Sequence, residues 1–340
     1  MANFSALRWR LLSAATICSA LVSTACAVTA PSGAIPSAPA RADAQGQVAP
    51  RTKPTPAPVK GAQLWSSPDG GSTWLRGQSI VGSPSKLATG RVNGQLMAFV
   101  TAVSADHLSV WESQDGSRWT HTADLPQAAG NWSRGFAVDA VHGRLLIAST
   151  TGLWSLSLTD GTVRRMSVTG QVTDVVVDRD GSAHALSVGA DGSFRQFNEV
   201  AVDAWQTQSV AADHLAVING EPYAFSLNVP SGGGMVGASS VDGADSHLLR
   251  AAVDGIWRSA SGGAHWVRSA VPGNPVFVRV AAAPSFASSG VALAAVFRGP
   301  LWRTADFGAT WQSLAGPSGE PGGLAFMTDS IIIAIEAASH

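Results

Sequence analysis

Three aspartates in a recurring turn sequence are the residues whose types and spacing could do chemistry. Asp69, Asp115 and Asp306 each follow a Ser or Thr by two residues and precede a glycine. A carboxylate in such a place could act as an acid or base, but it could equally accept hydrogen bonds from backbone amides of its own turn. Glycines such as Gly71 and Gly308 can adopt the positive φ that a tight hairpin requires. The residue types therefore favour a structural role, and we assign no catalytic residue.

Each of these aspartates lies in a segment that opens and closes with tryptophan, and a fourth segment has the same layout. We call residues 64–74, 110–119, 256–266 and 301–311 the tryptophan hairpins; they contain eight of the twelve tryptophans in the chain. Ser261 replaces the aspartate in the third segment and the second is one residue shorter, so these two turns should be looser. The turn residues are Ser67, Asp69, Gly71, Trp74, Asp115, Trp119, Ser259, Trp266, Thr304, Asp306, Gly308 and Trp311.

The hairpin sequence resembles the Asp-box (BNR-like) repeat of sialidases and other β-propellers. Fainter copies at residues 135–161 and 172–197 put the opening positions 40 to 46 residues apart, with one longer interval of 63. The resemblance implies an all-β fold, a single β-propeller of four-stranded antiparallel blades, with the hairpins on the outer part of each blade. Residues 215–237 are either a short blade of their own or an insertion. We predict seven blades, as the resembling families favour, with six as the alternative.

The two ends of the chain are expected to complete one blade. Residues 323–338 predict two strands without an outer hairpin, and the missing hairpin is the first tryptophan hairpin, directly after the linker. Pairing of the N- and C-terminal strands would close the ring and remove exposed sheet edges.

The residues of this chain give little support for sialidase chemistry. Sialidases share a Phe/Tyr-Arg-Ile-Pro segment, three arginines that bind the substrate carboxylate, and a tyrosine nucleophile paired with a glutamate. This chain lacks the first segment, and no arginine set can be assigned beside its single tyrosine, Tyr223, which is two residues from Glu221. The eight histidines have no close metal-ligand spacing. We expect no catalytic site, metal or cofactor; a glycan-acting hydrolase of the sialidase-like type is the alternative function.

Overall, the chain is most similar to the photosystem II assembly factor family, exported or lumenal propellers with the same repeat. The resemblance covers most of residues 61–340, through the repeat alone. The arginine-rich patch with which that family holds a reaction-centre subunit cannot be placed on particular positions here. The resemblance does not imply the photosynthetic role. We predict a monomeric binding or assembly module whose partner is an unknown protein or glycan at the cell envelope.

Candidate ligand-binding residues lie in loops that the blade layout places on one face of the propeller. They are Trp132, Arg134, His107 and Arg298. Trp132 beside Arg134 would offer a stacking surface with a charged donor, a pairing common at binding hot spots. Alternatively, Trp132 begins an inner strand and packs between blades.

The N-terminal sequence predicts export. Arg8 and Arg10 precede an apolar run, and residues 21–26 resemble the lipobox of bacterial lipoproteins, with Cys26 as the acylated cysteine. Ordinary secretion with cleavage after Ala27 is the alternative. We therefore divide the chain into a signal peptide (1–26), a disordered Pro/Ala/Ser-rich linker (27–60) and the propeller (61–340). The formal net charge of −1 argues against a nucleic-acid partner, and the only expected membrane contact is the lipid anchor.

Overall fold

A computed structural model describes residues 61–104, 107–126, 133–210, 212, 214–218, 221–225, 238–244, 246–252, 254–318 and 320–337. These residues form 26 strands in seven antiparallel sheets, six of them four-stranded and one two-stranded, with one short helix, α1 (Phe286–Ser289). Each sheet is one blade.

The blades follow the chain in order. Blade 1 contains β3 (Ser83–Val92), β4 (Gln95–Val103), β5 (Leu108–Ser113) and β6 (Thr120–Leu125); blade 2 contains β7 (Ser133–Asp139), β8 (Arg144–Ser149), β9 (Gly152–Ser157) and β10 (Val163–Arg165); blade 3 contains β11 (Gln171–Val177), β12 (Ala183–Val188), β13 (Phe194–Ala201) and β14 (Ala204–Val210).

Blade 4 is the two-stranded sheet, β15 (His214–Ile218) and β16 (Glu221–Phe225). Blade 5 contains β17 (Ala238–Ala244), β18 (His247–Ala252), β19 (Gly255–Ser259) and β20 (Val267–Arg268), and blade 6 contains β21 (Phe277–Ala282), β22 (Val291–Val296), β23 (Leu301–Ala305) and β24 (Gln312–Ser313). The region that the sequence left open as a short blade or an insertion thus contributes a short sheet of its own.

Blade 7 is built from both ends of the chain, as predicted. Its strand order is β25 (Glu320–Phe326), β26 (Ile332–Ala337), β1 (Ala62–Ser67) and β2 (Leu75–Ile80). The inner strands contact one another in the order β3, β7, β11, β15, β17, β21 and β25, and β25 contacts β3 again. The predicted single β-propeller, closed by pairing of the terminal strands, is therefore confirmed, and its described sheets number seven.

The core lies between the blades, so the second strand of a blade is apolar on both faces. In β4, Phe99 packs with Leu145 and Ile147 of blade 2, whereas Ala98 and Val100 pack with residues of blade 7. Because successive side chains of a strand point to opposite faces, a strand buried on both sides needs a continuous apolar run. No helix in the described part of the chain is long and apolar enough to cross a membrane.

The strand order also defines two ends of the propeller. Turns between the first and second strands and between the third and fourth lie at one end, which we call the hairpin end. The second-to-third turns and the connections between blades lie at the other, the crossover end. The tryptophan hairpins are all at the hairpin end.

Candidate functional site

The first tryptophan hairpin uses its polar side chains within its own turn. Ser67 Oγ accepts a hydrogen bond from Gly71 N at 2.8 Å, and Asp69 Oδ1 accepts one from Thr73 N at 2.8 Å. Thr73 Oγ1 donates to Asp69 Oδ2 at 2.7 Å, and Trp74 Nε1 donates to Gly71 O at 3.1 Å. The Thr73 amide and then its hydroxyl lower the pKa of Asp69 below its usual value.

The other tryptophan hairpins reuse this arrangement with local changes. Asp306 accepts hydrogen bonds from Thr310 N and Oγ1, as Asp69 does from Thr73. In the shorter turn, Asp115 Oδ1 accepts from the amides of Ser117 and Arg118 at 2.8 and 2.9 Å. Where the aspartate is missing, Ser261 Oγ accepts from His265 N at 2.9 Å. The three aspartate carboxylates therefore accept hydrogen bonds within turns at the hairpin end.

The residues predicted to bind a ligand contact different neighbours at the crossover end. His107 Nε2 lies 3.5 Å from Asp124 Oδ1, in blade 1. Arg134 is exposed near the start of β7, where Nε and Nη2 donate to the side-chain oxygen of Gln171 at 3.2 and 2.8 Å once that amide is oriented to accept. Arg298 lies in the turn between β22 and β23. Trp132 lies outside the described residues.

Bulges in the inner strands create a ring of equivalent positions near the crossover end. In six of the seven inner strands the pairing register shifts by one residue close to the strand start. A bulge of this kind redirects the side chains beside it. The residues directly after the bulge are Lys86 in β3, Gly135 in β7, Asp174 in β11, Ser240 in β17, Arg279 in β21 and Gly323 in β25.

Charged members of this ring interact across the blades between them. Lys86 is repelled by Arg279, which is two blades away in one direction, and attracted by Asp174, two blades away in the other. The intervening blades 7 and 2 carry Gly323 and Gly135 at the equivalent position, so these two positions contribute no side chain. We call Lys86, Asp174 and Arg279 the mouth cluster. Arg134 acts on Lys86, and His214 acts on Asp174.

Lys86, Asp174 and Arg279 are half-buried, which removes part of their hydration. Burial, then repulsion by Arg279, lowers the pKa of Lys86 to about 8. Burial also lowers the pKa of Arg279 and raises that of Asp174. Asp174 is committed to backbone groups: Oδ1 accepts from Val175 N at 3.0 Å and Oδ2 from Leu215 N at 2.9 Å. The carboxylate that attracts Lys86 therefore already accepts two backbone hydrogen bonds.

A cavity of about 400 Å³ lies inside the ring of inner strands, next to the mouth cluster. Its walls include the residues that directly follow the charged positions in three strands. Residues of six inner strands line it, one from each strand being Leu87, Val138, Val175, Val217, Val280 and Leu324. Most of these apolar side chains pack between the blades, so the surface that faces the channel is as much polar as apolar.

Sequence reasoning missed the residues of this entrance. Lys86 is the only lysine after residue 60, and it interrupts an inner strand, which was an available signal. Tyr223 and Glu221, the pair tested for sialidase chemistry, lie in β16, and their side chains are outside the described part. Among the described residues, no group of three His, Cys, Asp or Glu side chains is arranged to hold a metal ion.

Comparisons with known proteins agree with the architecture. No family model matches the chain, and no curated protein matches it. The β-propeller domain of Cps50 (Swd1) from Myceliophteria thermophila is similar at 12% identity with a TM-score of 0.52, over 76% of this chain and 97% of that one. A chain of a nidogen/laminin complex is similar at 13% identity with a TM-score of 0.49, over 81% and 98% of the two chains. The likeness to the Cps50 domain shows the fold alone: this chain is a β-propeller.

Proposed function

We propose that this protein is a non-catalytic binding or assembly module of the cell envelope, exported and held there by a lipid on Cys26, whose partner docks at the crossover end. The observation that carries the proposal is an exposed aromatic and arginine pair at that end. Phe297 is 44% exposed, and Arg298 Cζ lies 5.2 Å from the centre of its ring.

The surroundings of this pair suit a protein contact. Val276, also 44% exposed, accepts a hydrogen bond from Phe297 N at 3.0 Å, so two apolar side chains stand side by side. Arg298 has a φ of 52°, a conformation that costs energy in a residue other than glycine. Aromatic and arginine side chains contribute strongly to protein interfaces. We infer that blade 6 forms the centre of the docking surface and that His107 and Arg134 extend it.

The mouth cluster supports a binding role over glycoside hydrolysis. Hydrolysis of a glycosidic bond commonly uses two carboxyl groups, one on each side of the bond. Among the residues that the structure describes, the mouth cluster contains one carboxylate, Asp174, and both of its oxygens accept backbone hydrogen bonds. We therefore favour ligand recognition without catalysis.

We also interpret the tryptophan hairpins as Asp-box turns. The support is the shared hydrogen-bond set, in which an aspartate or serine caps the turn amides, and the tryptophan indole donates to the turn carbonyl in three of the four copies. In this interpretation Asp69, Asp115 and Asp306 stabilise blades and have no part in partner binding.

Site-specific photo-cross-linking tests the docking surface. A photo-reactive phenylalanine analogue replaces Phe297 in the full chain, and a matched protein carries it at Val202, which is 53% exposed at the hairpin end. After irradiation of cells, we expect a defined adduct from position 297 and none from position 202. Equal labelling from both positions, or labelling from position 202 alone, would contradict the proposed face.

Mass spectrometry of the mature N-terminus tests the anchor. We expect a mature chain that begins at Cys26 and carries acyl groups, and a Cys26→Ser variant released from the membrane fraction. A wild-type chain that begins at Val28 without lipid would instead establish ordinary secretion.

A further inference from the structure

A cleft lies at the crossover end between blades 2 and 3, where the connection from β10 to β11 passes the turn between β12 and β13. Its volume is about 330 Å³, and its lining includes Thr169, Gly170, Ser187, Asp191 and Arg195. Ser187 follows Ala183 and Ala185 on the face of β12 that packs against blade 2. The cleft is therefore the opening of a blade interface whose deeper part is apolar.

A buried hydroxyl group lines this cleft without a hydrogen bond. Ser187 is 2% exposed, and its Oγ has no hydrogen-bond partner among the described residues. Gly170, at a φ of 88°, leaves the hydroxyl uncovered, since a Cβ there would lie 3.5 Å from Ser187 Oγ. A polar group that is buried without a partner costs free energy. A ligand that bonds to Ser187 would remove that cost.

Two charged side chains line the same cleft as this hydroxyl. Arg195 is the direct cross-strand partner of Ser187, and the Cβ atoms of such a pair are about 5 Å apart on one face of the sheet. Asp191 lies in the turn before Arg195, where Oδ1 accepts from Ser193 N at 3.0 Å and from Ser193 Oγ at 2.6 Å. The hydroxyl and then the amide of Ser193 lower the pKa of Asp191, so it is a carboxylate at neutral pH.

The polar groups of the cleft match a ligand that carries several hydroxyl groups. Arg195 only donates hydrogen bonds, the Asp191 carboxylate only accepts them, and the hydroxyls of Ser187 and Thr169 do both. Each hydroxyl of a sugar also donates and accepts, so a sugar can bond to both charged side chains at once. A simple anion would be attracted by Arg195 and repelled by Asp191, and a simple cation the reverse. The volume is at the lower end of the range for small-molecule sites, which suits a single ring.

We propose that this cleft binds one neutral sugar unit, whose hydroxyl groups bond to Ser187, Asp191 and Arg195. The apolar carbon of the walls contacts the C–H groups of the ring, as in other sites where a few polar groups fix the orientation of a ligand. The site belongs to blades 2 and 3 and is separate from the protein-docking surface on blade 6, so the inference does not rest on that surface.

Saturation-transfer NMR titrations test the site, using the full chain with Cys26→Ser. The probes are the methyl glycosides of glucose, galactose, mannose and N-acetylglucosamine, with alanine, acetate and methylammonium as a zwitterion, an anion and a cation. We expect at least one glycoside to bind with a dissociation constant of about 1 mM or lower, which is ordinary for a ligand of about 13 non-hydrogen atoms. The three charged probes should bind at least about tenfold more weakly. The inference is overturned if no glycoside binds, or if a charged probe binds as tightly as the best glycoside.

Two variants and two matched controls locate the binding. Ser187→Ala and Arg195→Gln should each weaken binding of the preferred glycoside about tenfold, because each removes a hydrogen bond to the ligand. Ser269→Ala removes another buried hydroxyl that has no partner, and Arg118→Gln changes an exposed arginine at the hairpin end; both should leave the affinity unchanged. Melting temperatures show that each variant is folded. Wild-type affinity in the Ser187→Ala/Arg195→Gln double variant would refute this site.

The same variants separate this inference from the proposed docking function. Cross-linking from position 297 should be unaffected by Ser187→Ala and Arg195→Gln. If no glycoside binds while the cross-link persists, only the sugar site is refuted; the reverse result refutes only the docking surface.

Discussion

Arg144 of blade 2 is bonded to Glu199 of blade 3, with 2.5 Å between Nη2 and Oε2, and both side chains are buried. The same guanidinium holds Asp139 of its own blade, with 2.6 Å between Nε and Oδ2. One guanidinium thus bonds to two buried carboxylates at the interface between blades, and His142 Nδ1 lies 2.8 Å from Asp139 Oδ2 as well.

Replacing Arg144 should lower the free energy of unfolding more than replacing an exposed arginine does. In Arg144→Ala the buried Asp139 and Glu199 lose their counter-charge, so we expect the free energy of unfolding to fall by about 3–5 kcal/mol. Urea denaturation measures it, with Arg164→Ala as an exposed control expected within about 0.5 kcal/mol of wild type. A loss below about 1 kcal/mol for Arg144→Ala would show that the network contributes little.

Adjacent glycines in the first tryptophan hairpin should differ in their tolerance of alanine. Gly70 has a φ of 70° with open space around it, whereas a Cβ on Gly71, at φ 94°, would lie 2.8 Å from Leu314 Cδ1. We expect Gly70→Ala to cost about 1 kcal/mol and Gly71→Ala about 2–4 kcal/mol, because the second adds a steric clash to backbone strain. Equal losses in urea denaturation would mean that Leu314 moves aside freely.

Restoring the aspartate in the third tryptophan hairpin should stabilise the protein. A Ser261→Asp/His265→Thr variant reproduces the Asp69–Thr73 hydrogen bonds and should raise the free energy of unfolding by about 0.5–1 kcal/mol at pH 7. Since such turns lower the pKa of Asp69 and Asp306, the gain should persist above about pH 4 and disappear as pH falls through the lower folded-state pKa. A gain that does not decline at all as pH falls below about 4 would have another cause.

The hairpins and the closure of the ring could be predicted because their signals are local. Paired tryptophans, turn glycines and Asp69-type caps mark a hairpin within about ten residues, and the unmatched strands at the two termini indicate closure. The short blade 4 could not be distinguished from an insertion, because its sequence has no paired tryptophans of the kind that mark the hairpins of blades 1, 5, 6 and 7.

The mouth cluster could not be predicted because it depends on register. A one-residue bulge near the start of β3, β11 and β21 decides where Lys86, Asp174 and Arg279 point, and a shift of one residue turns a side chain to the opposite face. Bulge positions such as Ser85 and Thr173 carry no distinctive residue type. Only the assembled ring brings the three charges from separate blades together.

The pairing of β1 with β26 governs the order in which the molecule can fold. Trp65 Nε1 donates to Glu336 Oε2 at 2.9 Å across a sequence separation of 271 residues. A contact this distant in sequence has a large loop-closure entropy and slows folding. During synthesis, β1 and β2 emerge before the other described strands and keep an unpaired strand edge until β26 has been made. The ring can therefore close, and the exposed edge of β1 can be covered, only after β26 has been made. Closure in turn protects the molecule from aggregation through that edge.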